Sequence, residues 1–320
     1  MVGTLLILGA SGLTGYKLMK MTKEKFHVYG TYNMRVTADK ELIRLDMKSE
    51  ENIKRLFMGI KPDIVFNTTA LHNVDYCESH EQEAYDINTK AVGTVADLCN
   101  KLGSRLIHIS TDFVFDGNKR GFYVESDIPN PLSIYGKSKL AGEWQAKRCN
   151  SYSILRPSVV YGWTPLELQG SISSSGKPMN FALWVLSKLN RGDEIKVVDD
   201  QFTSPTLADV LAEAAMQVAI KDRNELYHIS GSLCLSRYKF TKKISEAMGY
   251  SYNNNSIKPV GSDSFAQLAK RPISSCLNCE KLESELKYRL PTVDSSLSTM
   301  RSQIEIESPS LLGKDDNGKH

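Results

Sequence analysis

Short apolar runs alternate with polar stretches of helical length through most of the chain. Leu5 to Leu8 is the first run, four apolar residues in succession without a polar alternate, as in a strand covered on both faces. Phe26 to Tyr32, Leu42 to Leu45, Asp63 to Asn67, Arg105 to Ser110 and Ser153 to Gly162 repeat the pattern. Between them lie helix-like segments to about Met21, from Ser49 to Met58, from Val74 onward, and one that opens near Tyr135 after Pro129 and Pro131. Strands alternating with helices predict an α/β fold, a doubly wound parallel sheet. Further on, Met179 to Leu189 and Ser236 to Met248 read as helices, Ile195 to Val198 and Leu226 to Ile229 as strands, and Thr206 to Asp209 as a helix start.

The turns between these elements carry the chemistry. Gly9-Ala10-Ser11-Gly12-Leu13-Thr14-Gly15 joins the first strand to the first helix. Glycines there let backbone approach a pyrophosphate, and the helix start offers free N–H groups and positive dipole, so this is a dinucleotide cradle. A site for NAD usually has an acid about 20 residues further on, holding the ribose 2′-hydroxyl. Here Thr31 to Arg35 contains none, which removes repulsion towards a 2′-phosphate, and Arg35 can pair with one. NADP(H) is favoured, with NAD(H) as the alternative. Asp46 and Met47 follow the third strand and are expected to border the adenine. Thr69 and Ala70 follow the fourth, where small residues admit a ligand. Asn88, inside a helical stretch, can loosen the helix and hold a water.

Ligands of doubly wound sheets bind at the carboxyl ends of the strands. Ser110, Thr111, Asp112 and Phe113 sit at such an end, and Thr111 offers a hydroxyl for a substrate carbonyl. Tyr135 and Lys139 are four apart and share one face of the next helix. A phenol beside an ammonium is a proton-transfer pair. The cation is expected to pull the phenol down from about 10 towards working pH.

Composition narrows the function classes. At 320 residues the chain can bury a substantial core, and a net charge of +3 with no dense basic block argues against nucleic-acid binding. No apolar run reaches the roughly 20 residues that span a bilayer, and the apolar start is too short for a signal sequence, so a cytoplasmic protein is expected. Six scattered cysteines do not make a disulfide framework. Cys276 and Cys279 have CxxC spacing, but no further metal ligands lie nearby, and a structural role is expected.

Taken together, GASGLTG (9–15), LD (45–46), STDFVFDG (110–117), PLSIYGKSK (131–139), LRPSVVYG (155–162), VVDDQFTSPTLAD (197–209) and RPISSCL (271–277) resemble the extended short-chain dehydrogenase/reductase family. Within it the chain is most similar to the dTDP-4-dehydrorhamnose reductases. The resemblance implies a Thr111, Tyr135 and Lys139 triad. Tyr135 would protonate a sugar C4 ketone as nicotinamide delivers hydride, Lys139 would bind the nicotinamide ribose, and Thr111 would hold the carbonyl. Gly9, Gly12 and Gly15 would face the pyrophosphate, Pro157 and Ser158 the nicotinamide end, and Asn88 a helix kink with a water relay. Asp112, Phe113, Asn180 and Arg271 are the expected substrate contacts, with Arg271 for the nucleotide diphosphate. Phe113 stands where 4,6-dehydratases carry the Glu that abstracts a proton at C5, which argues against that chemistry. No metal site is expected.

The implied organisation is an NADP-binding Rossmann domain over 1–162, with 195–230 returning to it. Segments 163–194 and 231–302 would form a smaller substrate-binding lobe, and 303–320 a flexible tail. The Ser/Gly-rich stretch 164–177 reads as an insertion over the site. The expected activity is NADPH-dependent reduction of a nucleotide-linked 4-keto-6-deoxyhexose, and a homodimer is compatible with it. Two alternatives share the scaffold: a nucleotide-sugar epimerase, and a non-catalytic regulatory subunit like the β subunit of methionine adenosyltransferase.

Overall fold

A computed structural model describes residues 3–34, 41–165, 180–221, 223–250 and 256–313. Its centre is a seven-stranded sheet of β1 (Thr4–Leu8), β2 (His27–Tyr32), β3 (Ile43–Arg44), β4 (Ile64–Asn67), β5 (Arg105–Ile109), β6 (Tyr152–Pro157) and β11 (Glu225–Ile229). The spatial order is β3-β2-β1-β4-β5-β6-β11, and all six pairings are parallel. The strand order reverses between β1 and β4, which opens a crevice at their carboxyl ends.

The continuous apolar run of β1 has a direct cause. Leu5 and Ile7 enter one hydrophobic cluster while Leu6 and Leu8 enter another on the opposite face. Period-two side chains are therefore apolar on both sides, and no polar alternate survives. Helices α1 (Leu13–Thr22) and α8 (Ala208–Ile220) contribute buried residues to the first cluster, and α2 (Glu50–Ile60) and α5 (Ala91–Leu102) to the second.

Helix α6 (Ile134–Ala146) carries Tyr135 and Lys139, and its start is fixed twice. The Ser133 hydroxyl accepts from Gly136 N at 3.2 Å, and the Glu78 carboxylate accepts from Ile134 N at 2.8 Å. These satisfy N–H groups that a helix start leaves open, an effect of about 1 kcal/mol for a Ser cap. A carboxylate at that end also complements the helix dipole. Gly142 lets the helix settle closer still: a Cβ there would lie 2.1 Å from the Asn88 carbonyl oxygen.

The expectation for the C-terminal stretch is corrected, and two other regions gain detail. Within 195–230, β8 (Ile195–Val198) pairs in parallel with β13 (Ile257–Val260), α8 packs into the first cluster with α1, and β11 joins the main sheet. The chain is not frayed from Gln303. Helix α11 (Val293–Glu307) runs through it because Val293, Leu297, Met300 and Ile304 form one buried stripe, with Leu312 buried beyond. Gln303 itself accepts from Lys17 and donates to Asp209. Cys276 forms a disulfide with Cys234, and Cys279 is a free thiol beside Ser230. The 164–177 reading falls mostly outside the described residues, as do 314–320 of the expected tail. No described helix is long and apolar enough to cross a membrane.

Candidate active site

A cleft of about 760 Å³ opens at the carboxyl ends of the strands, between the sheet and the smaller lobe. Gly12, Leu13, Thr14 and Gly15 form one end of it. Gly9 turns the chain with a φ of +83°, and Gly12 caps α1. Gly15 is required by contact, since a Cβ on it would sit 2.3 Å from the Gly9 carbonyl oxygen. Gly12 N donates to the Gly9 carbonyl at 2.9 Å, which folds the loop back onto the helix start, the place where a dinucleotide's pyrophosphate binds in such turns.

The middle of the cleft is lined by Ser110, Thr111, Asp112, Phe113, Tyr135 and Lys139. The expected Thr111, Tyr135 and Lys139 therefore line one cleft together. The Phe113 ring meets Tyr135 edge-on at 5.8 Å between centroids. Thr111 donates to Asp112 Oδ1 at 3.1 Å and accepts from Phe113 N at 3.2 Å. The Lys139 ammonium donates to the Ile109 carbonyl at 2.7 Å, which anchors it to the end of β5.

The expected electrostatics are revised. Burial raises the Tyr135 phenol above its ordinary value instead of Lys139 lowering it; Thr111 opposes that rise and the Asp112 charge adds to it. Burial pushes Lys139 down to about 8, with the Glu143 carboxylate working against the fall. Desolvation is the first cause for both groups, and neither acts on the other's titration.

Asp112 is less a ligand group than a clamp. Its Oδ2 accepts from Ser158 Oγ at 2.8 Å and Ser275 Oγ at 2.5 Å, joining the ends of β5 and β6 to the 271–277 loop. Ser158 is committed to that clamp and does not line the cleft, whereas Pro157 beside it does. Asn180 lines the cleft but spends its side chain capping α7 (Phe181–Asn190), accepting from Leu183 N and donating to the Gly162 carbonyl. Arg271 lines the cleft and is held by Asp75 at 2.8 Å.

Other expected cofactor residues sit apart from the lining. Ala70 reaches the cleft, but Thr69 bonds Asn67, and Thr68 takes its place. Ser11 is buried in the glycine turn. Met47 packs into the second core cluster, and Asp46 accepts from Lys48 N. Asn88 is fully buried in a single π-helical turn, Asp86–Lys90, where it accepts from Leu71 N and donates to the Leu71 carbonyl and Ser138 Oγ. The expected helix irregularity is present, with Asn88 as its anchor. Arg35 lies outside the described residues.

The far wall was not legible in the chain. Trp184 and Phe265 supply aromatic surface there, and Gln267, Ser275 and Arg237 supply polar groups. Arg237 stands at the start of α9 (Arg237–Ala247), its guanidinium 4.9 Å from the centre of the Phe181 ring. Burial pushes it down to about 10, with Asp112 pulling it up and Arg271 adding to the fall. Two arginines and Lys196 give this side of the cleft a cationic character suited to an anionic ligand. The sequence held one usable sign: Ser236 followed by Arg237 at the start of an amphipathic helix. Among the described residues, no group of three or more His, Cys, Asp or Glu is placed to hold a metal ion.

Comparison with known proteins agrees with this geometry. The Haloferax volcanii "Probable low-salt glycan biosynthesis reductase Agl14" is 32% identical over 302 residues, covering 92% of this chain and 96% of that relative. The dTDP-4-dehydrorhamnose reductase of Escherichia coli K12 is 32% identical over 268 residues, covering 81% and 85%. The crystal structure of dTDP-4-dehydrorhamnose reductase from Bacillus anthracis in complex with NADP superposes with a TM-score of 0.83 at 28% identity, covering 95% of this chain and 100% of that one. The family model described as "RmlD substrate binding domain" matches residues 3–306, and the chain belongs to that family.

Proposed function

We propose that this protein reduces the C4 ketone of a nucleotide-linked 4-keto-6-deoxyhexose with NADPH, the reaction named in its dTDP-4-dehydrorhamnose reductase relatives. The observation that carries the reading is the placement of Tyr135, on Lys139 and beside Thr111, in the same cleft as the Gly12–Gly15 turn. The turn suits a dinucleotide: Gly12 to Gly15 line the cleft at a helix start, with no bulky side chain on Gly12 or Gly15 to keep a pyrophosphate from the backbone. When bound, NADPH supplies the hydride.

The chain's own residues supply the rest. Tyr135 gives its proton to the ketone oxygen, and a phenol raised by burial is fully protonated at neutral pH, the form a reduction needs from its acid. Lys139 places positive charge under the developing phenolate and lowers the cost of that transfer. Arg237 and Arg271 are the groups we assign to the diphosphate, and Trp184 and Phe265 to the aromatic and sugar faces. Phe113 offers an apolar surface beside Tyr135 and no carboxylate for proton abstraction at C5.

In this reading residues 1–162, joined by α8 and β11, form the cofactor-binding part, and 163–194 and 231–302 the substrate lobe. It also carries a cytoplasmic location and a homodimer, the latter measurable by light scattering on the purified protein. The test of function is a panel: purified protein with NADPH or NADH and dTDP- or UDP-linked 4-keto-6-deoxyhexoses, followed at the nicotinamide absorbance. Stoichiometric NADPH loss with a dTDP-linked substrate is the expected result. Turnover without net cofactor consumption would favour an epimerase, and absence of turnover with every sugar would favour a binding protein.

A further inference from the structure

Further along the Tyr135–Lys139 face lies a third ionisable residue of the same helix, Glu143. Tyr135, Lys139 and Glu143 follow at intervals of four, so they form one stripe along α6 facing the sheet. Glu143 is 1% exposed and Arg156, on β6, is 3% exposed. Arg156 grips the carboxylate with two bonds, Nε to Oε1 at 2.8 Å and Nη2 to Oε2 at 2.7 Å. Ser110, which itself lines the cleft, donates to Oε1 at 2.5 Å.

A buried ion pair is seldom there for stability alone. Desolvating both charges costs about what their attraction returns, so an apolar pair of similar volume often does as well. This pair differs in its neighbour. Lys139 is also buried, so the interior holds two cations for this one carboxylate, and Glu143 is the charge that favours a protonated Lys139. The surrounding groups are specific. On β5, His108 is buried and kept neutral by desolvation and by Lys139. Asp112, at the strand end, is occupied by Ser158, Ser275 and Thr111. Cys77, on α3 (Val74–Ser79), faces Tyr135. On the far side of Arg156 stand His228 and Glu125, which feel its charge.

We infer that Glu143 is a positioning residue for the reduction: clamped by Arg156 and Ser110, its carboxylate holds Lys139 as an ammonium at the end of β5, under Tyr135. The inference rests on the proposed roles of Tyr135 and Lys139. Its rival is that Glu143 merely neutralises Arg156.

Three proteins separate these: wild type, Glu143→Gln, and Glu143→Gln with Arg156→Gln. For each, the melting temperature and the pH dependence of kcat with NADPH are measured. If Glu143 acts on Lys139, the alkaline limb of kcat moves to lower pH by about one unit in both variants, as expected for loss of a nearby opposite charge. The double variant regains melting temperature lost by the single one, because no uncompensated buried arginine remains. An alkaline limb that stays in place in the double variant overturns the inference, and that variant alone suffices should the single one not fold. A Tyr135→Phe control keeps the two failures apart. Normal turnover in that control removes the proton-donor reading, whereas an inactive control with an unmoved limb removes only the role of Glu143.

Discussion

The two sides of the cleft are built in opposite ways. On the sheet side, the Gly12–Gly15 turn, Ser110 to Phe113, and Tyr135 with Lys139 come from three short contiguous segments at strand ends and helix starts. Their polar atoms are tied into the core, as Lys139 to Ile109 and Ser110 to Glu143 show. On the far side, Trp184, Arg237, Phe265 and Arg271 come from separated parts of the chain, held by cross-links such as Asp75 to Arg271 and the Cys234–Cys276 disulfide. The difference assigns labour. A rigid wall fixed by secondary structure suits chemistry, and a wall of side chains on loops and helix starts suits recognition of a particular substrate.

Breaking the rigid side has the largest consequence. Tyr135→Phe should lower kcat by about 10²–10⁴-fold, the usual worth of a positioned general acid, while NADPH affinity by fluorescence titration stays within a few fold. Lys139→Ala should lower kcat and also weaken NADPH binding, separating the two residues of the pair.

The recognition side should answer in KM. Arg237→Ala is expected to raise KM for the nucleotide sugar about tenfold or more with little change in kcat, as for one lost charge-assisted contact to a phosphate. A kcat loss larger than the KM change would place Arg237 with the chemistry instead.

The pH profile sharpens the same division. The proposed role needs Lys139 as an ammonium, and burial lowers it to about 8, so its charged fraction, and with it kcat, should fall as pH rises through that value. Below it the charged form is complete, and Tyr135, raised by burial, remains protonated throughout. Steady-state kinetics from pH 6 to 10 check the sign. The smallest effect belongs to the staple: Cys234→Ser with Cys276→Ser should lower the melting temperature by a few degrees and raise KM several-fold, leaving kcat near wild type.

The same contrast explains what could be read from the chain. The parallel sheet was legible because each strand buried on both faces leaves an unbroken apolar run, as in Leu5 to Leu8. That Thr111, Tyr135 and Lys139 share one cleft was legible because a strand end, and helical spacing within α6, aim side chains at the crevice. Arg237 and Gln267 were not, since no local pattern marks a side chain that reaches its partners only when distant segments close. Asp112 and Asn180 show a subtler limit. Both line the cleft as expected, yet hydrogen bonds to Ser275 and to Leu183 N, invisible in sequence, engage them in holding the walls. The helix past Gln303 was hidden because its four buried apolar residues are outnumbered by polar ones on the exposed face.

Direct hydride delivery to the sugar C4, with the proton coming from Tyr135, is the centre of the account, and isotope transfer measures it most directly. The protein is incubated with a dTDP-linked 4-keto-6-deoxyhexose and NADPH deuterated at both C4 positions of the nicotinamide, and the product is examined by mass spectrometry and proton NMR. The account predicts one deuterium at sugar C4 for each NADPH consumed, and loss of that transfer in Tyr135→Phe. Unlabelled product, or full transfer by the Tyr135→Phe protein, would contradict it.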